Sequence, residues 1–164
     1  PELFKVLYSV DGTVAILGIE ATFEQVAIVN GSYYDDLSSA ISAAISINGT
    51  VEVCKDIMLT SAIEISENSE VEIDLAGYTI SGYTENGTVI NNKGILSIYD
   101  STDEGTNESG VRSYTGTPIV NSGTLTIGID DGNVYDAPII KGLTEAISNT
   151  GTINKFDGKF EIDE

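Results

Sequence analysis

Two acidic stretches hold the residues of this sequence best suited to chemistry. Asp100, Asp103 and Glu104 fall in one run rich in Gly, Ser and Thr, and Asp130, Asp131 and Asn133 fall in another. Carboxylates and amides beside glycines are hard oxygen donors on a chain that can bend around an ion. The cation that suits such donors is calcium. Neither run has the spacing of an EF-hand or of a calcium-binding nonapeptide repeat. The plainer reading is a pair of solvated acidic loops, and the sequence leaves both readings open. Asp100 with Asp103, or Asp130 with Asp131, also have the composition that a glycosidase needs across one cleft. With 26 acidic residues in the chain, such pairs arise by chance. The expectation is a protein without catalysis.

Lyase chemistry on an acidic sugar needs a base to take the proton and cations to neutralise the substrate carboxylate. The basic residues are Lys5, Lys55, Lys93, Arg112, Lys141, Lys155 and Lys159, with Arg112 in an expected loop. The chain has no His and one Cys, which leaves zinc and haem without their usual ligands. Cys54 lies in the strand-like run Val51–Cys54 and reads as a buried, inert thiol, with no imidazole to activate it. Tyr83, Tyr99, Tyr114 and Tyr135 fall at or near expected junctions of strand and loop. Tyrosines there either stack on sugar faces or pack the bases of loops.

Charge narrows the partners. Against the 26 acidic residues stand 7 basic ones, a net of -19 over 164 residues. The balance argues against a nucleic-acid partner, because a phosphate backbone is held by Lys and Arg that replace its counterions. Anionic membrane surfaces are disfavoured for the same reason. No apolar run approaches the ~20 residues that span a bilayer. The charge is either a solubility device or the mark of a cation-rich exterior. Hydrophobic residues make up 41% of the chain, enough for a core. The chain opens on Pro1 and closes on Glu164 in a strand-like run, which reads as a piece of something longer.

The elements that position these residues are announced by a repeated phrase. Ile90 to Ile98, Ile119 to Ile127 and Ile147 to Ile153 each place Asn two residues after Ile, Gly two after Asn, and an aliphatic residue two after Gly. The Asn residues 92, 121 and 149 are 29 and 28 apart. A period of this size predicts a solenoid, in which equivalent residues stack from one turn to the next. Ile90, Ile119 and Ile147 should form one apolar stack, and Leu96, Leu125 and Ile153 another. Asn92, Asn121 and Asn149 should form a ladder of side-chain amides. Gly94, Gly123 and Gly151 are expected to supply positive φ at sharp corners.

The remaining pattern is β-rich. Phe4 to Val10, Thr13 to Ile19 and Phe23 to Val29 read as short strands, with Asp11-Gly12 as a hairpin turn. One helix is expected over about 35–47, with Asp35 or Asp36 at its N-cap, Leu37, Ile41, Ala44 and Ile45 on one face, and Asn48-Gly49 ending it. Its apolar face should cap the end of the β-structure. Val71 to Leu75 alternates apolar and acidic residues. Residues 99–116 and 130–135 read as loop excursions. The organisation expected is an N-terminal β segment over 1–29, then a capping helix and β-solenoid over 30–164.

Two longer runs carry a resemblance. Val29 to Ala44, followed by Gly49 to Ile57, is similar to the opening of parallel β-helix modules in large bacterial cell-surface proteins of pectate-lyase-like fold. Val71 to Gly82 resembles a rung of the same modules, with Ala76 where Asn is usual and Tyr78 where His is usual. The resemblance covers about residues 26–164. It implies an all-β, right-handed parallel β-helix, extracellular or on the cell surface. The implied function is a non-catalytic structural or adhesive one, toward glycans or proteins of a host or neighbouring surface. Two alternatives go with it. One is a self-assembling subunit of an extracellular filament, a homo-polymer joined through strand edges. The other is a carbohydrate-active enzyme. No cofactor is implied, calcium excepted.

Overall fold

A computed structural model describes residues 4–8, 14–19, 24–102, 109–128, 138–156 and 158–163. The strands β1 (Phe4–Tyr8) and β2 (Val14–Ile19) pair antiparallel with each other, Tyr8 opposite Val14. β3 (Ala27–Val29) and β4 (Ser32–Tyr34) form a second hairpin. Its two turn residues, Asn30 at φ 47° and Gly31 at φ 77°, are both left-handed, the conformation that matches the twist of paired strands. β4 was not legible beforehand: Ser32-Tyr33-Tyr34 is mostly exposed and has no apolar alternation.

Helix α1 spans Leu37–Ile47. Its N-cap is Asp36, whose carboxylate accepts from the Ser39 N–H at 2.7 Å; the Ser39 side chain, and then its N–H, hold that carboxyl below the usual range. Asn48, at φ 51°, ends it in the left-handed conformation, its N–H donating to the Ala44 carbonyl. Leu37, Ala40, Ile41 and Ala44 are buried, and they face the hairpin strands β3 and β4 and the sheet beyond. Ala40 and Ala44 leave little side chain between helix and strands, which permits close approach.

The remaining strands come in passes of three. β5 (Thr50–Val53), β6 (Ile57–Leu59) and β7 (Ile63–Ile65) make the first pass, and β8 (Glu70–Asp74), β9 (Thr79–Gly82) and β10 (Ile90–Asn92) the second. β11 (Ile95–Tyr99), β12 (Gly110–Ser113) and β13 (Ile119–Asn121) follow. Then come β14 (Thr124–Ile127), β15 (Ile139–Gly142) and β16 (Ile147–Asn149), and last β17 (Thr152–Lys155) and β18 (Lys159–Ile162). Each strand pairs in parallel with the equivalent strand of the next pass. One sheet therefore runs β7-β10-β13-β16, another β6-β9-β12-β15-β18, and a third β4-β3-β5-β8-β11-β14-β17. Within the third sheet, β3 is antiparallel to β4 and β5. The protein is mostly β, with parallel sheets.

Register turns the repeat into a core. Ile63, Ile90, Ile119 and Ile147 stand opposite one another in sequence of passes. So do Val71, Leu96, Leu125 and Ile153. A third column runs Ile57, Ile80, Val111, Ile140 and Phe160. Ile90, Leu96, Ile119, Leu125 and Ile140 are fully buried, each worth about 1.5–3 kcal/mol relative to exposure.

Three expectations need correction. Residues 99–116 are not one loop: Tyr99 closes β11, and Gly110–Ser113 is β12, with Val111 fully buried. A single aliphatic residue among Gly, Arg and Ser carries too little alternation to announce a strand, and parallel pairing to β9 and β15 imposes it. Cys54 lies just past the end of β5 and is half-buried rather than buried, with its thiol pushed up by burial and by Glu52. Gly94, Gly123 and Gly151 are not among the glycines at positive φ, which among the described residues are Gly31, Gly77, Gly87, Gly128 and Gly158. Their requirement is close approach, since a Cβ on Gly123 would overlap the Gly94 carbonyl oxygen, and one on Gly151 that of Gly123.

Ala76 explains its own oddity. Its φ is 47°, a left-handed position that costs an L-residue about 1–2 kcal/mol and that Asn tolerates better. Ala76→Asn is expected to raise stability by up to about 1 kcal/mol, read as a higher urea midpoint with unchanged slope. An unchanged or lower midpoint would show that another contact holds Ala76 in place.

Candidate functional site

Of the acidic calcium candidates, Asp103, Glu104, Asp130 and Asp131 lie outside the described residues, as do Asn133 and Tyr135. Asp100 is described and is 1% exposed. Its Oδ1 accepts from the Gly77 N–H at 3.0 Å, the Thr102 N–H at 2.9 Å and the Thr102 hydroxyl at 2.7 Å. One pass earlier, Asp74 Oδ1 accepts from the N–H groups of Ala76 and Ser101, each at 3.0 Å. Both carboxylates thus pin turns, each bonding its own chain two residues on and a strand connection of the neighbouring pass. Asp100 Oδ2 and the Ser109 hydroxyl are buried and have no hydrogen-bond partner among the described residues. Among those residues, no three His, Cys, Asp or Glu side chains are grouped to hold a metal.

Four of the cations, Lys55, Lys93, Arg112 and Lys141, are engaged by acids. Arg112, expected in a loop, stands on β12, and its Nη2 donates to both Asp163 carboxylate oxygens at 3.2 and 3.1 Å. Lys141, beside it on β15, reaches Asp163 at 2.7 Å and Glu161 at 3.7 Å. The Lys141 hydrogen bond, with Arg112 behind it, holds the Asp163 carboxyl below the usual range, and Asp163 in turn raises Lys141. Lys55 pairs with Glu24 at 2.8 Å and Lys93 with Glu64 at 3.2 Å.

The repeated Asn residues meet. Asn92 Nδ2 donates to Asn121 Oδ1 at 2.7 Å, and Asn121 Nδ2 to Asn149 Oδ1 at 2.6 Å. The same amides also reach the carbonyls of Thr124 and Thr152, each at 3.0 Å. Asn92 Oδ1 accepts from the Gly94 N–H at 3.1 Å, and Asn149 Oδ1 from that of Gly151 at 3.3 Å. Asn92 and Asn121 are buried, and Asn149 is exposed. In the first pass the register position is held by Ile65, so the ladder begins where an apolar stack leaves off. With its donors and acceptors turned to backbone and to one another, the ladder is a corner brace.

The tyrosines divide. Tyr99 is half-buried at the end of β11, and burial pushes its phenol up. Tyr83 and Tyr114 are 67% and 40% exposed. They directly follow Gly82 and Ser113, which pair in the β9–β12 register. Pairing runs on past the strands: the Tyr83 N–H donates to the Leu59 carbonyl at 2.9 Å and the Tyr114 N–H to that of Gly82 at 3.1 Å. The two tyrosines therefore occupy equivalent positions on neighbouring passes. The Arg112 guanidinium lies 4.8 Å from the centre of the Tyr114 ring. Beyond the ends of β6 and β9 the chain turns toward β7 and β10, and the corner holds an open groove of about 470 Å³. Thr60, Thr84, Glu85, Asn86, Glu64 and Asn91 line it. Sequence reading passed over this pairing. Its signal is that each Tyr stands three residues after a core aliphatic, Ile80 or Val111, which the loop assignment of 99–116 hid.

No family model matches the chain, and no curated protein or solved structure matches it either.

Proposed function

We propose that the three sheets are the faces of a right-handed parallel β-helix, with α1 as its cap, and that the protein is a non-catalytic structural and adhesive module of a bacterial cell surface. The observation that carries this reading is the in-register parallel pairing of every third strand, from β5 to β18. Such a stack makes a stiff, self-braced rod, and its outward side chains form a broad surface at fixed spacing. The resemblance of Val29–Ile57 and Val71–Gly82 to surface-protein modules supports the same reading. The test is location. Protease treatment of intact cells of the source bacterium is expected to release peptides of this chain. Their retention inside protease-treated, unbroken cells would overturn the reading.

One observation favours a second reading, assembly through strand edges. Phe160 and Ile162 on β18 are 43% and 57% exposed, whereas Ile140, paired with Phe160, is fully buried. A strand laid on β18, whether from a further pass of the same chain or from a second copy, would bury them. Sedimentation of the purified chain over a wide concentration range separates the readings: growth of the particle with concentration supports assembly, and a constant monomer mass removes it.

A further inference from the structure

We propose that the open edge of β6 is a docking site for an extended, lysine- or arginine-bearing segment of a partner protein, which adds to the sheet as a further strand. β6 is the end strand of its sheet. In the neighbouring sheet the corresponding edge, that of β5, is covered by β3. β6 has no such cover among the described residues. Leu59 stands opposite Gly82, and its carbonyl accepts from the Tyr83 N–H at 2.9 Å. In a parallel pair, a residue that bonds across does so with both its N–H and its C=O, and the next residue turns both away. Ile57 and Leu59 therefore bond toward β9, and the Met58 N–H and C=O point to the open edge. Unpaired groups of this kind are a template for an added strand.

An open groove of about 400 Å³ lies along that edge. Its lining takes in all three β6 residues and, among the described residues, none of β9. The groove is thus on the unpaired side. Val26 and the Asp35–Leu37 run that leads into α1 form part of its wall. Charge selects the occupant. Glu24, Asp35, Asp36 and Asp56 line the groove against Lys55, and Lys55 is tied to Glu24 at 2.8 Å. Asp56 accepts from the Thr79 N–H at 2.9 Å through Oδ1, which leaves Oδ2 for a ligand. Asp35 is exposed and has no hydrogen-bond partner among the described residues. A Lys or Arg side chain of a strand held at Met58 meets these carboxylates, and an acidic strand is repelled by them. Main-chain bonds supply the attachment and the acids the choice of partner. Such a site does not depend on where the protein resides.

The probe is a short, fluorescently labelled peptide of alternating Val and Lys, followed by anisotropy against the whole chain at physiological salt. Its counterpart with Glu for Lys should not bind. An alternating Pro and Lys peptide, equal in charge but poor in backbone donors, should bind at least about tenfold more weakly. Met58→Pro deletes the outward N–H and no bond to β9, a change that an edge strand tolerates. It should weaken the Val and Lys peptide about tenfold, and Met58→Ala should not. The Asp35→Asn/Asp56→Asn double variant should also lose about tenfold. Glu67→Gln, an exposed acid outside the groove, should leave binding unchanged. Variants are compared at matched circular dichroism and melting temperature; if Met58→Pro does not fold, the peptide comparison and the Asp variants decide. Equal binding of the two Lys peptides, or equal losses in Glu67→Gln and the double variant, would reduce the effect to attraction by a net charge of -19 and overturn the site. Self-association of the chain that Met58→Pro abolishes would give the edge to a second copy and overturn it as well.

Discussion

Gly123→Ala is expected to cost about 3 kcal/mol of stability, the upper range for overfilling a packed interior. In a chain of this size that is a fall of about 10 °C in melting temperature. The reason is position, not conformational freedom. A methyl group at Gly123 would fall on the carbonyl oxygen of Gly94. That oxygen cannot swing away, because it accepts from the Thr124 N–H at 2.8 Å and so joins two passes. Gly151 repeats the arrangement over Gly123, whose carbonyl accepts from the Thr152 N–H at 2.8 Å. Gly49→Ala is the control. Its added carbon meets only side-chain atoms, the nearest those of Ile47 at 3.1 and 3.2 Å, and Ile47 is 53% exposed and able to move. Its expected loss is below about 1 kcal/mol. Urea denaturation measures both. Similar losses for the two variants would show that the passes shift to accommodate a methyl group and that the close approach is not rigid.

Asn121→Ala carries a loss of similar size, about 3 kcal/mol, from stranded hydrogen-bonding groups. The substitution removes the acceptor for Asn92 Nδ2 and the donors for Asn149 Oδ1 and the Thr152 carbonyl. Asn121 is 1% exposed, so water has little access to replace them. Asn149→Ala, at an exposed position, should cost less than about 1 kcal/mol. Asn121→Asp tests the direction of the bonds. A carboxylate there still accepts from Asn92 but places negative charge against two acceptor oxygens. Burial and those oxygens raise the folded-state pKa of the new Asp above its unfolded value. The folded protein then binds more protons than the unfolded chain, so the deficit against the parent is largest above the folded pKa and shrinks as pH falls. Chemical denaturation at pH 7 and near pH 4 gives the comparison. A deficit independent of pH would mean that the ladder opens to water at Asn121.

Much of this was legible because stacking makes register a one-dimensional property. The spacing of Ile90, Ile119 and Ile147 sufficed to place them in one column, since parallel strands repeat whatever the sequence repeats. The Asn ladder followed from the same spacing. Helix α1 was legible from its cap and its apolar face. The illegible parts are those where local pattern is weak and a neighbour imposes the conformation. β12 is a strand because β9 and β15 pair with it on either side. Ser113 is buried because its hydroxyl reaches the Gly87 carbonyl and accepts from the Gly116 N–H at 3.1 Å. Arg112 lies on a strand face, bound to an Asp that is 51 residues away in sequence.

Residue type at regular spacing was enough for the period, the apolar columns and the helix. Tertiary structure alone decided what the glycines of the repeat are for and which tyrosines stand together. A glycine in a repeated phrase looks the same whether it serves a turn or a close approach, and only the neighbouring pass tells which. Tyr83 and Tyr99 look alike along the chain, but one sits outside a strand pair and the other is half-buried at a strand end. Asp100 shows the same dependence. Asp100 folds inward to hold a turn, because the amides of Gly77 and Thr102 converge on it, and that convergence is not written in its own stretch of chain.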